Sequence, residues 1–168
     1  MRAVSDAGSL FDSDSPVFLE DLEVGMTRAF GRYEVSREEV VEFGRRFDPQ
    51  PFHVDEEQAK RSPYGGLIAS GWHTTAMTMR MLVEDFQSWG LQSLGSPGVD
   101  DLRWRRPVRP GDVLSLTTEL VEARPSRSSP TRGSVKLRVA VKNQDGDEVM
   151  SMLSLGMVRR RPRATEPP

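Results

Sequence analysis

The sequence lacks cysteine altogether and has only two histidines, His53 and His73. The absence of cysteine excludes a disulfide framework, a thiol nucleophile and every cysteine-based metal site. Zinc prefers nitrogen and sulfur ligands, so a zinc site in this chain would have to be completed by carboxylates. We therefore expect no metal site.

Excess charge and long apolar runs are also missing. The 23 basic and 25 acidic residues leave a formal charge of −2, so no global field attracts the chain to nucleic acid. No apolar run is long enough to span a bilayer, and the amino terminus has no apolar signal region. We expect a cytoplasmic protein that binds neither nucleic acid nor membrane.

The 168 residues fit one domain, which is large enough to bury a core without disulfides or metals. Residues 1–16 mix serine, aspartate and glycine, and residues 159–168 are charged and rich in proline. Neither composition buries enough apolar surface to offset the cost of ordering. We predict a domain over residues 17–158 between two flexible ends.

The stretch FDPQPFHVD, residues 47–55, places His53 five residues after Asp48 and puts two prolines in the gap. Each proline fixes its own φ and pushes the preceding residue toward extended geometry. The sequence therefore predicts a rigid loop that holds a carboxylate and an imidazole at a fixed separation. Such a loop is either a structural corner or the support of an acid/base pair.

Helical signals lie on both sides of this loop. Ser36 and Glu39 form a capping box that predicts a helix of about ten residues ending at the loop. The polar stretch DEEQAKRSPYGG after the loop predicts one or two further turns, which end at Pro63 and the following glycine pair.

The longest helical signal is SGWHTTAMTMRMLVEDFQSWG, residues 70–90. Large apolar side chains recur there at spacings of three and four residues, and we predict that they form the buried face: Trp72, Ala76, Met79, Val83 and Phe86. Met77 and Met81 make other faces apolar as well, so the helix should be largely buried. We expect the three methionines of this helix, Met77, Met79 and Met81, to belong to the core or to an acyl pocket.

The apolar period changes from 3.6 to 2 after Gly98. Strands are predicted near residues 26–33, 99–106, 113–121, 135–142 and 149–158, with a hairpin turn at NQDGD. Short turns join consecutive strands, and only antiparallel strands can be joined in that way. The predicted fold class is α+β, in which an antiparallel sheet of about five strands wraps around one long helix.

This order of elements resembles the hotdog fold. The hexapeptide Asp48-Pro49-Gln50-Pro51-Phe52-His53 resembles the D-x-N-P-x-H signature of the MaoC-like dehydratases and (R)-specific enoyl-CoA hydratases. The segment GLIASG, residues 66–71, resembles the glycine segment that opens their central helix. The resemblance covers roughly residues 17–158 and implies a single hotdog domain.

The chain departs from the family pattern at two positions. Gln50 stands where asparagine is frequent, and both amides offer the same donors and acceptor. Ser70 precedes Gly71 where many members have histidine, and a histidine appears instead at position 73. We assign substrate binding to four residues, with His73 packed in or beside the pocket: Gln50, Ser70, Trp72 and His73.

The resemblance implies reversible addition of water to the double bond of an α,β-unsaturated acyl thioester. It assigns Asp48 and His53 to holding the water and moving its protons. It also assigns the oxyanion donor to the backbone N–H of Gly71, where a helix amino terminus leaves an amide free. Coenzyme A or acyl carrier protein enters as part of the substrate, and no separate cofactor is expected.

Two features outside this pair bear on partners. Arginines bracket Trp104 in RWRRPVRPGD, residues 103–112, and such a patch either holds the phosphates and adenine of coenzyme A or is simply an exposed strand face. A single hotdog leaves sheet edges and one side of the substrate channel open, and the family commonly covers them by pairing protomers. A homodimer or higher homo-oligomer is expected.

Two other functions remain open from the sequence. A hotdog thioesterase would share the fold and the acyl-CoA substrate, although such enzymes generally lack the D-x-x-P-x-H loop. A non-catalytic acyl-binding subunit would keep the fold without turnover. An Asp-Pro pair is typically a helix stop and a loop histidine is typically structural, but their combination with Gly71 at a helix start favours the hydratase.

Overall fold

The computed structural model describes residues 15–162. A short 3-10 turn at Leu19–Asp21 precedes strand β1 (Thr27–Glu34) and three helices, α1 (Arg37–Phe47), α2 (Pro51–Val54) and α3 (Glu56–Arg61). The central helix α4 (Gly71–Ser88) follows. The remaining strands are β2 (Gly98–Trp104), β3 (Val113–Pro125), β4 (Arg132–Lys142) and β5 (Glu148–Arg159).

All five strands form one antiparallel sheet in the order β1-β3-β4-β5-β2. The predicted alternation of buried and exposed residues along β4 is observed, because Val135, Val139 and Val141 are buried on one face. Asp145 and Gly146 form the turn to β5, where Gly146 has a φ of +82° that suits glycine. The predicted single hotdog fold is confirmed.

Helix α1 begins and ends where its sequence signals place it. The hydroxyl of Ser36 accepts a hydrogen bond from the Glu39 amide at 3.2 Å, which caps the helix. The helix ends at Phe47, just before Asp48 and the first proline. Asp48 is therefore the first residue after α1, at its carboxyl end.

The predicted loop after α1 is partly helical, so its description as a loop throughout was wrong. Pro51 occupies the first turn of α2, a position where its missing N–H costs nothing, and His53 lies in that helix. The prolines therefore end one helix and begin another. His53 is held by a turn of helix as well as by the stiff dipeptides.

The predicted buried face of α4 was also wrong. Trp72 and Met79 are 58% and 39% exposed, and Ala76 is exposed as well. The opposite face enters the core through Met77, Met81 and Leu82, together with several buried polar residues: His73, Thr74, Thr78 and Asp85. The core face was hidden in the sequence because four of its seven buried residues are polar. Thr78 donates to the Thr74 carbonyl at 2.8 Å, one turn away, whereas Asp85 pairs with a residue of β1, Arg28.

The apolar face of α4 packs on one face of the sheet. Its core partners come from β3, β4 and β5: Leu114, Leu116, Val139, Val141, Met150 and Met152. This packing fixes the helix axis across the sheet, so that the first turn of α4 lies beside the ends of α1 and α2. No helix between residues 15 and 162 is long and apolar enough to cross a membrane.

The predicted flexible ends fall mostly outside the described residues. Arg159 is the last residue of β5. Beyond it, Arg160 and Arg161 pair with Glu20 and Asp21. The boundaries of the domain, 17 and 158, stay a prediction.

Candidate active site

The ends of α1 and α2 bring the two predicted proton carriers together. Nε2 of His53 lies 3.2 Å from Oδ2 of Asp48. The imidazole is 5% exposed and the carboxylate 21%, so the pair is buried on the histidine side and open on the aspartate side. A water or substrate reaches the pair from the Asp48 side.

The other nitrogen of His53 fixes the tautomer. Nδ1 lies 2.7 Å from the carbonyl oxygen of Ile68, and a carbonyl only accepts, so Nδ1 carries a proton. In the neutral ring Nε2 is then unprotonated, and its lone pair faces Asp48. Nε2 and Oδ2 lie within hydrogen-bond distance, so a proton placed between them would make the contact attractive.

Asp48 is held through both carboxylate oxygens. Oδ2 accepts from the Ser70 hydroxyl at 2.7 Å, and Oδ1 accepts from the Gln50 side-chain amide at 2.9 Å. Burial raises the pKa of Asp48, but the hydrogen bonds from Ser70 and Gln50 and the proximity of His53 outweigh it and hold the pKa below its usual value. Asp48 is therefore ionised at neutral pH and able to orient a water.

The first amide of α4 is available beside this pair. Of the described residues, none accepts a hydrogen bond from the N–H of Gly71, whereas the next amide, from Trp72, donates to the Ser70 hydroxyl at 3.3 Å. The helix dipole adds partial positive charge at this end. The Gly71 amide has the chemistry that an oxyanion donor requires.

Trp104 covers Gly71 from strand β2. A Cβ atom on Gly71 would overlap the indole of Trp104, so only glycine fits at this position. The Trp104 ring stands edge-on to Trp72 with centroids 5.2 Å apart, and its N–H donates to Thr75 at 3.2 Å. Sequence reasoning noted Trp104 only as a neighbour of arginines, because nothing in a sequence pairs a strand residue with a helix start.

Asp48, His53 and Gly71 open on one cavity of about 700 Å³. Gln50 and Trp72 also line it, whereas Ser70 and His73 are not among its lining residues. Five aromatic side chains contribute to its walls: Phe47, Phe52, Tyr64, Trp72 and Trp104. The cavity therefore combines a polar corner with apolar and aromatic walls, as ligand-binding pockets commonly do.

His73 lies in the core next to the site. Its ring stacks on Phe43 with centroids 4.7 Å apart and planes 10° apart. Burial lowers the pKa of His73, with a smaller opposing effect from Glu39, so the ring is neutral at pH 7. Its Nδ1 atom is buried with no hydrogen-bond partner in the described part of the chain.

The arginines after Trp104 stand at the cavity rim. Arg105 and Arg106 line the cavity, and they pair with Glu148 at 2.6 Å and Asp147 at 3.3 Å. The Arg109 guanidinium donates to the Tyr64 carbonyl at 2.5 Å. These contacts orient positive charge at the mouth. Within residues 15–162, no three histidine or carboxylate side chains cluster in a way that would hold a metal ion.

Comparison with known proteins identifies the family. The family profile described as MaoC like domain matches residues 21–143. A 3-hydroxybutyryl-CoA dehydratase from Methylorubrum extorquens is 32% identical over 135 residues, which are 80% of this chain and 78% of that protein.

Solved structures agree with this match. The MaoC-like dehydratase from Rhodospirillum rubrum superposes with a TM-score of 0.78 at 42% identity, covering 88% of this chain and 99% of that one. An R-hydratase from Pseudomonas aeruginosa shares the fold with a TM-score of 0.65 at 23% identity, over 91% and 95% of the two chains. The resemblance inferred from the loop and the glycine segment is thus confirmed, and the chain belongs to the MaoC-like dehydratase family.

Proposed function

We propose that this protein adds or removes water across the α,β double bond of an acyl thioester. One observation carries the proposal: the Asp48 carboxylate and the His53 imidazole lie 3.2 Å apart at the corner of a cavity that Gly71 also lines. The 3-hydroxybutyryl-CoA dehydratase similar to this chain supports the same reaction class.

The chemistry follows from the three groups. In the direction of hydration, Asp48 and His53 hold a water and take one of its protons while its oxygen bonds to the β-carbon. The electron pair of the double bond moves into the thioester, and the Gly71 amide stabilises the charge on the thioester oxygen. The pair then returns one proton to the α-carbon, so the protein ends in its starting state.

The carrier in this proposal is coenzyme A, which is part of the substrate. The exposed indoles of Trp72 and Trp104 offer stacking surfaces at the cavity mouth. Arg105 and Arg106 add positive charge there for phosphate groups. The acyl chain occupies the buried part of the cavity, whose apolar lining is aliphatic: Ile68, Ala69, Val108 and Val149.

A homodimer completes this site in our proposal. The exposed face of α4 carries Trp72 and Met79, and the outer strand β2 adds Val99 and Trp104. The contact between Trp72 and Trp104 joins the helix face and the strand edge into one apolar surface. A second copy that covers this surface would also cover the cavity mouth, because the same two tryptophans line it.

The direct test uses crotonyl-CoA and the variant Asp48→Asn. We expect the wild-type protein to remove the enoyl absorbance without releasing free thiol. The variant keeps the size of the side chain but cannot exchange protons, and we expect kcat to fall by about 100-fold or more.

Asp55→Asn is the matched control, because Asp55 lies in the same segment, is not among the residues that line the cavity and caps helix α3, which asparagine also caps. Its kcat should stay within about two-fold of wild type. Release of free thiol would show hydrolysis instead of hydration. Equal activity of the Asp48→Asn and wild-type proteins on several enoyl thioesters would overturn the mechanism.

A further inference from the structure

The hydroxyl of Ser70 is shared between the acid/base pair and the start of helix α4. The O–H group donates to Oδ2 of Asp48 at 2.7 Å, and its oxygen accepts from the Trp72 amide at 3.3 Å. Ser70 is only 1% exposed and is not among the residues that line the cavity. The side chain therefore acts through its hydrogen bonds and has no path to a bound acyl group.

These two bonds leave the hydroxyl one orientation. An amide only donates, so Trp72 occupies a lone pair of the Ser70 oxygen, and an ionised carboxylate only accepts, so the hydroxyl proton points at Asp48. The acceptor is Oδ2, the same oxygen that faces Nε2 of His53. Ser70 thus holds the oxygen through which the pair shares its proton.

We infer that Ser70 is a positioning residue, which sets the Asp48 carboxylate relative to both His53 and the free amide of Gly71. The inference rests on the proposed function. It changes the role assigned to Ser70 from the sequence, which was substrate binding. It also explains the serine at a position where many family members have histidine, because a serine is small enough to cap the helix and still reach the carboxylate.

A purely structural role is the competing explanation, because a serine at a helix start stabilises the helix wherever it occurs. Ser36 provides the matched control. It caps α1 by accepting from the Glu39 amide at 3.2 Å, and it makes no contact with Asp48. Ser36→Ala removes a cap and a hydrogen bond to the Glu39 carboxylate, whereas Ser70→Ala removes a cap and the hydrogen bond to the Asp48 carboxylate.

The test compares Ser70→Ala, Ser70→Thr and Ser36→Ala with the wild-type protein on crotonyl-CoA. Loss of the Ser70 hydroxyl removes a donor that favours ionised Asp48, so the acidic limb of the kcat/KM profile should move to higher pH. We expect kcat of Ser70→Ala to fall by about 10-fold or more, as when a charge-assisted hydrogen bond is lost. Threonine keeps the hydroxyl and should restore most of the rate and the wild-type pH profile.

A second readout needs no substrate. Carbon-detected NMR follows the titration of the Asp48 carboxyl in the free protein, and we expect its midpoint to rise in Ser70→Ala and stay unchanged in Ser36→Ala. If no enoyl thioester is turned over even by the wild-type protein, the proposed function fails, and the Asp48 titration still decides the role of Ser70.

Ser70→Cys covers the case in which alanine prevents folding, because a thiol fills similar space but is a poor donor. It should show the same direction of change in the rate and in the Asp48 titration. The inference is overturned if Ser70→Ala, or Ser70→Cys in its place, keeps the wild-type pH profile and Asp48 titration. It is equally overturned if Ser36→Ala changes both to the same extent.

Discussion

The fit of Trp104 on Gly71 makes the first position of α4 a sharp test of the site. In Gly71→Ala, the new Cβ would overlap Cδ2 and Cε2 of the indole and lie 2.9 Å from its Cε3. The backbone at position 71 is in an ordinary helical region, so the methyl adds no backbone strain. The destabilising part of the effect must come from displacing Trp104.

The size of that effect follows from the contacts that Trp104 would lose. Its edge-on contact with Trp72 is worth about 0.5–1.5 kcal/mol. Its hydrogen bond to Thr75 is worth about the same. Alanine is favoured over glycine within a helix by up to about 1 kcal/mol, which offsets part of the loss. We expect Gly71→Ala to lower the free energy of unfolding by about 1–2 kcal/mol.

A double-mutant cycle with Trp104→Ala isolates this contact. Without the indole the three closest contacts of the new methyl are gone, so adding Gly71→Ala to Trp104→Ala should be neutral or slightly stabilising. Urea unfolding followed by far-UV circular dichroism gives all four free energies of unfolding. Gly66→Ala is the control, because its methyl would meet only the guanidinium of Arg109, at an ordinary contact distance of 3.4 Å.

Additivity of the two substitutions would refute the reasoning. If Gly71→Ala cost the same with and without Trp104, then the indole would not be what excludes a side chain at position 71. The glycine would have to be explained by approach of substrate alone. A cost for Gly66→Ala equal to that for Gly71→Ala would equally contradict a site-specific overlap.

Two other predictions concern α4. His73→Phe keeps the stack on Phe43 and removes the unpartnered nitrogen, so the free energy of unfolding at pH 7 should rise by about 1 kcal/mol. Because burial lowers the pKa of His73, the unfolded chain binds a proton that the native one does not, and the free energy of unfolding falls as pH drops below about 6.5. Urea titrations from pH 8 to 5 should show that this part of the pH dependence vanishes in His73→Phe. An unchanged pH dependence in the variant would contradict the prediction. Met79→Glu should convert a dimer into a monomer in light scattering, whereas Val24→Glu, another exposed apolar position, should not; a wild-type monomer would contradict the proposed interface.

The strands were predictable because alternation along a strand reports directly on its two faces. Each of the five lies within a few residues of its predicted position, as for β4 at Arg132–Lys142. The buried face of α4 was not predictable, because both faces of this helix carry methionine. Asp85 made the core face look polar, yet its carboxylate is buried against the Arg28 guanidinium at 2.6 Å. A buried polar residue is recognised only once its partner is known.

The spacing of Asp48 and His53 was readable in the same way, since the residues and the prolines between them are close in sequence. The groups that hold these two side chains in place could not be predicted from the sequence. Ser70 and Ile68 lie 22 and 15 residues further along the chain than the groups they bind. A backbone carbonyl such as that of Ile68 leaves no signal in a sequence at all, because every residue has one.

The segment from Ile68 to Gly71 therefore determines the geometry of the site more than the prolines do. Its first residue accepts from the His53 ring, Ser70 donates to Asp48, and the amide of Gly71 begins α4. The segment is itself fixed, because the amide of Ile68 donates to Phe52 at 3.1 Å and that of Ala69 to Val108 at 2.8 Å. The prolines set where α1 ends and α2 begins, whereas this segment sets the distance between the acid/base pair and the helix amide, so a shift of the segment would displace all three chemical groups together.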